Sequence, residues 1–357
     1  GRCLKKRIFL YGKLGRKKQE SHERSCLEGS DMMTSAEGNL EQDMLRYRPF
    51  IEECFGGKRY TLEEVPGGRS FDIKAKAHCD GKDYMVKVIE GRLDREERNK
   101  NRIAWYQALW RIRHENPCVL GPLFYGMAAG RVVTITEWIE GEQLNEAFDK
   151  RPDSMVLFGK KAGRLLYELH HQEFVRRAAK SGGVSIAEKT ARALSEVEQE
   201  IGRYGIDFRG MDRAMDYLKR NRAILSEERA WIVHNDIRPE NFISAGGKLY
   251  IYDFDSGTIQ DCFADFTYLS AISQEKYRPF SYAAIMSYFD LDIPEEFWKV
   301  NLYFSIIKLL DYAIYKYHKS GKRIVNQADN FVQLFHNYEN PVPDWWGQMD
   351  EQYRDKL

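Results

Sequence analysis

The stretch His234-Asn235-Asp236-Ile237-Arg238-Pro239-Glu240-Asn241, followed by Asp253-Phe254-Asp255, decides how this chain is read. Apolar residues from Trp231 run into the first segment, and Leu249 to Tyr252 lead into the second. Both polar clusters are therefore expected at the ends of short strands. Asp253 stands twelve residues after Asn241, on the next short strand. An aspartate, an asparagine five positions on and a further aspartate on the next strand make one set of hard oxygen donors.

Phosphoryl transfer asks little covalent chemistry of a protein. It needs a carboxylate to orient or deprotonate the attacking hydroxyl, and oxygen ligands to hold Mg²⁺ on the phosphates. Asp236 fits the first task, and Asn241 and Asp253 fit the second because Mg²⁺ prefers oxygen. The combined spacing is much more specific than any single element. The competing reading is a structural loop whose polar groups cap helices.

Working outward, the globular pattern begins near Leu40. Leu45, Phe50, Ile51 and Phe55 predict a short helix. Strands are expected at Tyr60 to Val65, Ser70 to His78, Tyr84 to Ile89 and Arg131 to Trp138, with Pro66-Gly67-Gly68, Asp80-Gly81 and Gly126 to Gly130 as turns. A charged run from Asp94 leads into Ile103, Trp105, Tyr106, Leu109 and Trp110 at helical spacing. After Gly141 helices dominate: Val156 to His171, Ile186 to Glu227 with breaks near Gly202, Gly205 and Gly210, Ala264 to Ser273, Tyr282 to Phe289, and Phe297 to His318. The expectation is an α+β chain with a small β-rich lobe over residues 41–138 and a larger, mainly helical lobe over 139–357. Residues 1–40 read as a basic, flexible tail.

Composition narrows the function classes. With 43% hydrophobic and 13% aromatic residues, the chain has ample material for a core. A net charge of +1 gives no argument for nucleic acid as a partner. The six cysteines form no CxxC pair, so zinc ribbons and disulfide frameworks are not suggested, and free thiols in the cytoplasm are expected. No apolar run is long enough for a membrane-spanning helix. Charge is uneven: residues 1–30 carry nine Lys/Arg against three Asp/Glu, and residues 231–357 twelve against eighteen.

With these residues in place, HNDIRPEN and IYDFD resemble the aminoglycoside phosphotransferase and choline kinase family, within the protein-kinase-like superfamily. Tyr84-Met85-Val86-Lys87-Val88 is similar to the family's third strand, Thr134 to Leu144 to its interlobe segment, Gly163 to His170 to its helix ending in Leu-His, and Asp265 to Leu269 to the segment after the metal aspartate. The resemblance runs from about residue 60 to 270 in the family's order. It implies the bilobal kinase-like fold and transfer of the γ-phosphate of ATP, with Mg²⁺, to a small-molecule hydroxyl.

Residue by residue, the resemblance makes Asp236 the catalytic aspartate and Asn241 and Asp253 the metal ligands. Lys87 would meet the α- and β-phosphates, paired with Glu97 or with its neighbour Glu96. Glu137 and Ile139 of the interlobe segment would border the nucleotide. Gly68, in a Gly-Gly turn that replaces a full glycine-rich loop, would lie at the phosphates. Arg238 stands where the phosphotransferases commonly have histidine, and a cation there would steady the γ-phosphate. His234 would brace the loop, and Asp255 would assist the metal or orient the loop.

Two rivals remain at this level. A protein kinase is disfavoured because only eleven residues separate Asp253 from Asp265, too few for an activation segment. An inactive scaffold of the same fold is disfavoured because every core residue is present. The acidic balance and the many aromatics after residue 231 would suit a cationic acceptor, although aromatics at helical spacing usually form core. Antibiotic, sugar, amino-alcohol and amino-acid-like acceptors all stay open, as does oligomeric state.

Overall fold

Alternation of side chains builds the first lobe. The computed structural model describes residues 40–65, 72–89, 96–172, 185–321 and 323–357. The basic N-terminal segment and the turn carrying Gly68 lie outside the described residues. Strands β1 (Tyr60–Glu64), β2 (Ile73–Cys79), β3 (Lys82–Ile89), β4 (Phe124–Ala128) and β5 (Arg131–Glu137) form one antiparallel sheet in the order β1-β2-β3-β5-β4. Asp80 and Gly81 join β2 to β3 with φ of 55° and 72°, as expected of an Asp-Gly hairpin.

The period of two sorts this sheet into two faces. Val86, Val88, Val133 and Ile135 pack on Met44, Tyr47, Ile51 and Phe55 of the leading helices α1 (Leu40–Met44) and α2 (Arg48–Cys54) and the turns beside them. Met85, Lys87, Thr134 and Thr136 point the other way, into a cleft. Helix α3 (Glu96–Glu115) packs Trp105, Tyr106, Leu109 and Ile112 into the main core instead.

A turn beginning at Gly126 was expected and is not found. Gly126 lies inside β4, where a Cβ would come 2.7 Å from Cε2 of Phe50. The turn is made by Ala129 and Gly130, with φ of 47° and 78°. Gly126 thus makes room for a ring and does not reverse the chain.

In the larger, helical lobe Gly141 lies against the backbone of Ser244; a Cβ there would sit 2.7 Å from the Ser244 carbonyl oxygen. The strands of this lobe form two small antiparallel sheets. One is β6 (Glu142–Gln143), β8 (Phe242–Ala245) and β9 (Lys248–Ile251), and the other is β7 (Ala230–Val233) with β10 (Thr258–Asp261). The helices are α4 (Leu144–Lys150), α5 (Met155–His170), α6 (Ile186–Tyr204), α7 (Met211–Arg220), α8 (Arg278–Tyr288), α9 (Glu295–Ser320), α10 (Val325–Leu334) and α11 (Trp346–Tyr353). Among the described residues no helix is long and apolar enough to cross a membrane.

Local chemistry explains where the helices stop. Ser185 and Glu188 make a capping box that starts α6, and Gly205 in the left-handed region ends it. Gly202 stays inside that helix. The regular helix expected over Ala264 to Ser273 is a 3₁₀ turn, Cys262–Phe266, followed by a π turn, Tyr268–Ile272. Side chains replace the missing helical bonds: Asn301 donates to the Phe263 carbonyl at 3.1 Å, and Trp345 donates to the Ser270 carbonyl at 3.1 Å.

Helices α5 and α8 approach closely through Gly159 and Gly163. A Cβ on Gly159 would lie 2.5 Å from the Phe280 carbonyl oxygen, and one on Gly163 would run into the Ala284 carbonyl. Backbone cannot yield as a flexible side chain does, so Gly163→Ala is expected to cost about 1–3 kcal/mol by overpacking. Urea denaturation measures this; unchanged stability would show that the two helices are not locked at this contact.

Candidate active site

The loop after β7 is held from behind. Asp265 is wholly buried, and its carboxylate accepts the backbone N–H of His234 at 2.8 Å and that of Asn235. His170, at the end of α5 and equally buried, lies 2.9 Å from the same carboxylate through Nε2, and its Nδ1 meets the Tyr288 hydroxyl at 2.9 Å. Burial pushes the Asp265 carboxyl up, but His170 and the loop N–H hold it below the usual carboxylate range. Asn235 takes φ of 64°, a conformation that asparagine tolerates better than most residues. His234 spends both ring nitrogens inside the loop. Nε2 donates to the Tyr252 carbonyl at 2.8 Å, and Nδ1 accepts the Asp236 N–H at 3.3 Å.

Asp236 is left with one committed and one open oxygen. Oδ2 accepts from Arg238 Nη2 at 2.8 Å and from Asn241 Nδ2 at 2.9 Å. Oδ1 is shielded from solvent and accepts no hydrogen bond from the described residues. Asn241 Nδ2 also donates to the Asp236 carbonyl at 2.7 Å, which turns the amide oxygen of Asn241 away from Asp236. Arg238 extends over the Tyr268 ring, 5.7 Å from its centroid.

Lys87 reaches across from β3 to the Asp253-Phe254-Asp255 segment. Its Nζ lies 3.0 Å from Asp253 Oδ1, in direct contact with Asp255 Oδ2, and 3.4 Å from Asp72 Oδ2. Burial alone would lower the Lys87 pKa, but Asp255 and Asp253 hold it above the ordinary lysine value. Asp253 has φ of 65°, a strained conformation for a residue other than glycine. Helix α3 steadies the segment: Trp105 Nε1 donates to the Phe254 carbonyl at 3.1 Å, and the Tyr106 hydroxyl donates to Asp255 Oδ1 at 3.1 Å. The Trp105 ring fills the space a Cβ on Gly257 would need.

These residues border two cavities. A cleft of about 820 Å³ lies between the sheet and the loop, lined by Lys87, Glu137, Ile139, Asn241, Asp253 and Arg238 among others. A second cavity of about 640 Å³ is lined by Tyr268, Lys308, Asp311 and Tyr312. Arg238 and Glu240 border both. Asp236, Arg238, Lys87, Glu137, Ile139, Asn241 and Asp253, all singled out in the sequence, thus meet at one place, Asp236 through its bonds to Arg238 and Asn241. Gly68 and the side chain of Glu97, like that of Glu96, lie outside the described residues.

Among the described residues no cluster of three or more His, Cys, Asp or Glu forms a metal cage. The donors at hand are the Asn241 amide oxygen and the Asp253 carboxylate. That set fits Mg²⁺, which is usually held by one or two protein oxygens together with substrate phosphates.

Two contributors escaped the sequence reading, Asp72 and Lys308. Asp72 joins Asp253 and Asp255 around Lys87. Lys308, on α9, donates to the Asn235 carbonyl at 2.6 Å and sits over the Tyr268 ring at 4.7 Å. Burial depresses its pKa, partly offset by Asp265 and Asp236. The available signal was a lone lysine within Asn301 to Ala313, a run that is otherwise almost wholly apolar up to Asp311.

Asp265 carries the loop, so its removal should be felt globally. Asp265→Ala strands His170 and two backbone N–H groups in the core, and a loss of about 3–5 kcal/mol is expected. Chemical denaturation checks it; a cost near that of an exposed substitution would mean that the loop is held by something else.

The model of the phosphotransferase enzyme family (APH) matches residues 61–296. No curated protein matches. Similar solved structures include APH(2")-IIa in complex with gentamicin, 17% identical with a TM-score of 0.56, covering 81% of this chain and 96% of that one. A streptomycin–ATP ternary complex of APH(2")-IIa is 16% identical with a TM-score of 0.53, covering 84% and 97%. Aminoglycoside phosphotransferase APH(4)-Ia is 12% identical with a TM-score of 0.50, covering 87% and 99%. At such identities the structural likeness speaks for the fold: a small β-rich lobe followed by a larger helical one. The family match spans β1 to the start of α9 and takes in every described site residue except Lys308, so the chain belongs to the phosphotransferase enzyme family, with its kinase-like bilobal fold.

Proposed function

We propose that this chain transfers the γ-phosphoryl group of ATP to a hydroxyl of a small molecule. The observation that carries this reading is the unpaired, solvent-shielded Oδ1 of Asp236, held at a loop whose Arg238 and Glu240 border two cavities. A cleft of about 820 Å³ suits a nucleotide, and the neighbouring cavity suits an acceptor. The occurrence of ATP and streptomycin together on a protein of the same fold supports the same division.

The roles follow from position. Glu137 and Ile139, at the junction of the lobes near residues 138–139, border the base. Lys87 meets the α- and β-phosphates, exchanging part of its contact with Asp253 and Asp255 for phosphate oxygens. The Asn241 amide oxygen and the Asp253 carboxylate would hold Mg²⁺, which would supply positive charge against the phosphates. Asp236 Oδ1 accepts the proton of the acceptor hydroxyl as its oxygen bonds to the γ-phosphorus. The bond from that phosphorus to the β–γ bridging oxygen breaks, and ADP leaves. Arg238, fixed to Asp236 Oδ2, places positive charge where the transferred group passes.

A protein-kinase reading has little support, because the residues between Asp253 and Asp265 are taken up by the 3₁₀ turn Phe254–Ser256 and by β10. The four described cysteines are free thiols, in keeping with a reducing compartment such as the cytoplasm.

Asp236→Asn keeps the shape and loses the proton acceptor, so single-turnover transfer is expected to fall about 10²–10⁴-fold with nucleotide affinity nearly unchanged. Asp253→Asn is expected to weaken Mg²⁺-dependent nucleotide binding in calorimetry as well. Transfer by Asp236→Asn at the parent rate would remove the catalytic assignment and favour a scaffold.

A further inference from the structure

The charges in the second cavity are not equivalent. Arg238 is neutralised by Asp236 at 2.8 Å. Lys308 has no such partner: its one hydrogen bond goes to the Asn235 carbonyl at 2.6 Å, and it forms no ion pair with any described carboxylate. An ammonium carries three N–H donors, so two remain for a ligand. The Tyr268 face, 4.7 Å from Nζ, attracts the cation but offers no charge to cancel it. Of the carboxylates that line the cavity, neither Asp311 nor Glu240 lies within ion-pair distance of Lys308, although Asp311 attracts it through space.

The cavity therefore keeps a lysine with two uncommitted N–H donors and no direct ion pair against the loop that carries Asp236. A polycationic acceptor would have to bring its own positive charge close to Lys308 in order to place a hydroxyl at Asp236. An acceptor with an anionic group would complete the ion pair that the protein leaves open, and a charge-assisted hydrogen bond in such a recess is among the stronger polar contacts.

We propose that the acceptor bears an anionic group, a carboxylate or a phosphate, beside its hydroxyl, and that Lys308 binds that group and so determines specificity. This deepens the phosphotransferase reading and rests on it. It runs against the cationic acceptor suggested by the acidic balance of residues 231–357. That balance belongs to the whole segment, whereas in the cavity Lys308 keeps two N–H donors uncommitted.

The test uses three matched probes, glycerate, glycerol 3-phosphate and glycerol, together with an aminoglycoside. Binding is measured by calorimetry on the full chain with Mg²⁺ and a non-hydrolysable ATP analogue, so the nucleotide cleft is filled and no turnover is needed. At least one anionic probe is expected to bind about tenfold or more tightly than glycerol. Which of the two does so distinguishes a carboxylate from a phosphate. Lys308→Gln should abolish that preference, Lys308→Arg should retain most of it, and glycerol and nucleotide affinities should stay level in both variants. A merely structural role for Lys308 would instead weaken all ligands together. Equal binding of charged and neutral probes, tightest binding of the aminoglycoside, or a preference that survives Lys308→Gln would overturn the proposal. Transfer from ATP is followed separately with Asp236→Asn as control. Anion binding without transfer would count against the phosphotransferase reading while leaving the anion site in place.

Discussion

A carboxylate with no exposure to water must be compensated where it lies, and Asp265 is compensated by His170 and by two N–H groups of the loop that carries Asp236. The rest of the site depends on this arrangement. His170 ends α5 and touches Tyr288 at the end of α8, so the packing of two distant helices reaches the loop through one chain of hydrogen bonds. That packing in turn needs Gly159 and Gly163, where backbone passes backbone. The helical lobe thus acts as a mount for a few polar atoms. The loop it presents has its histidine used internally, one oxygen of Asp236 tied, and the other left open.

The opposite wall of the cleft is set by charge. Lys87 is carried by a strand whose neighbours, Val86 and Val88, are buried on the other face, so the pleat alone aims it at the cleft. There it gathers Asp253, Asp255 and Asp72. Asp253 holds a left-handed backbone because Trp105 and Tyr106 of α3 fix the residues after it. A lysine shared among three carboxylates, with donor oxygens beside it, is an arrangement that phosphate oxygens and a divalent cation can enter by exchange.

Much of this was legible because it depends on neighbours in sequence. The Asp236–Asn241 spacing, the turn at Asp80-Gly81 and the alternation around Lys87 are short-range patterns, and each gave the right local geometry. Long-range effects were not legible in the same way. Nothing in the composition distinguishes Gly126, which makes room for Phe50, from a turn glycine. The segment after Asp261 reads as a helix because the side chains that satisfy its carbonyls come from Asn301 and Trp345. Most aromatics after residue 231 are core, among them Tyr282, Phe297, Trp298 and Tyr303, whereas Tyr312 and Tyr315 border the second cavity. Lys308 was hidden for the same reason, since one charge in an apolar helix has no meaning until the loop above it is placed.

The central claim is that the cleft between Lys87 and Asp253 holds a metal-bound nucleotide with its terminal phosphate directed at Asp236. A crystal structure with Mg²⁺ and a non-hydrolysable ATP analogue tests this most directly. The triphosphate is expected between Lys87 and Asp253, the metal on Asn241 and Asp253, and the γ-phosphate on the side of Asp236. A nucleotide seated away from Lys87, or one whose γ-phosphate points away from Asp236, would contradict it.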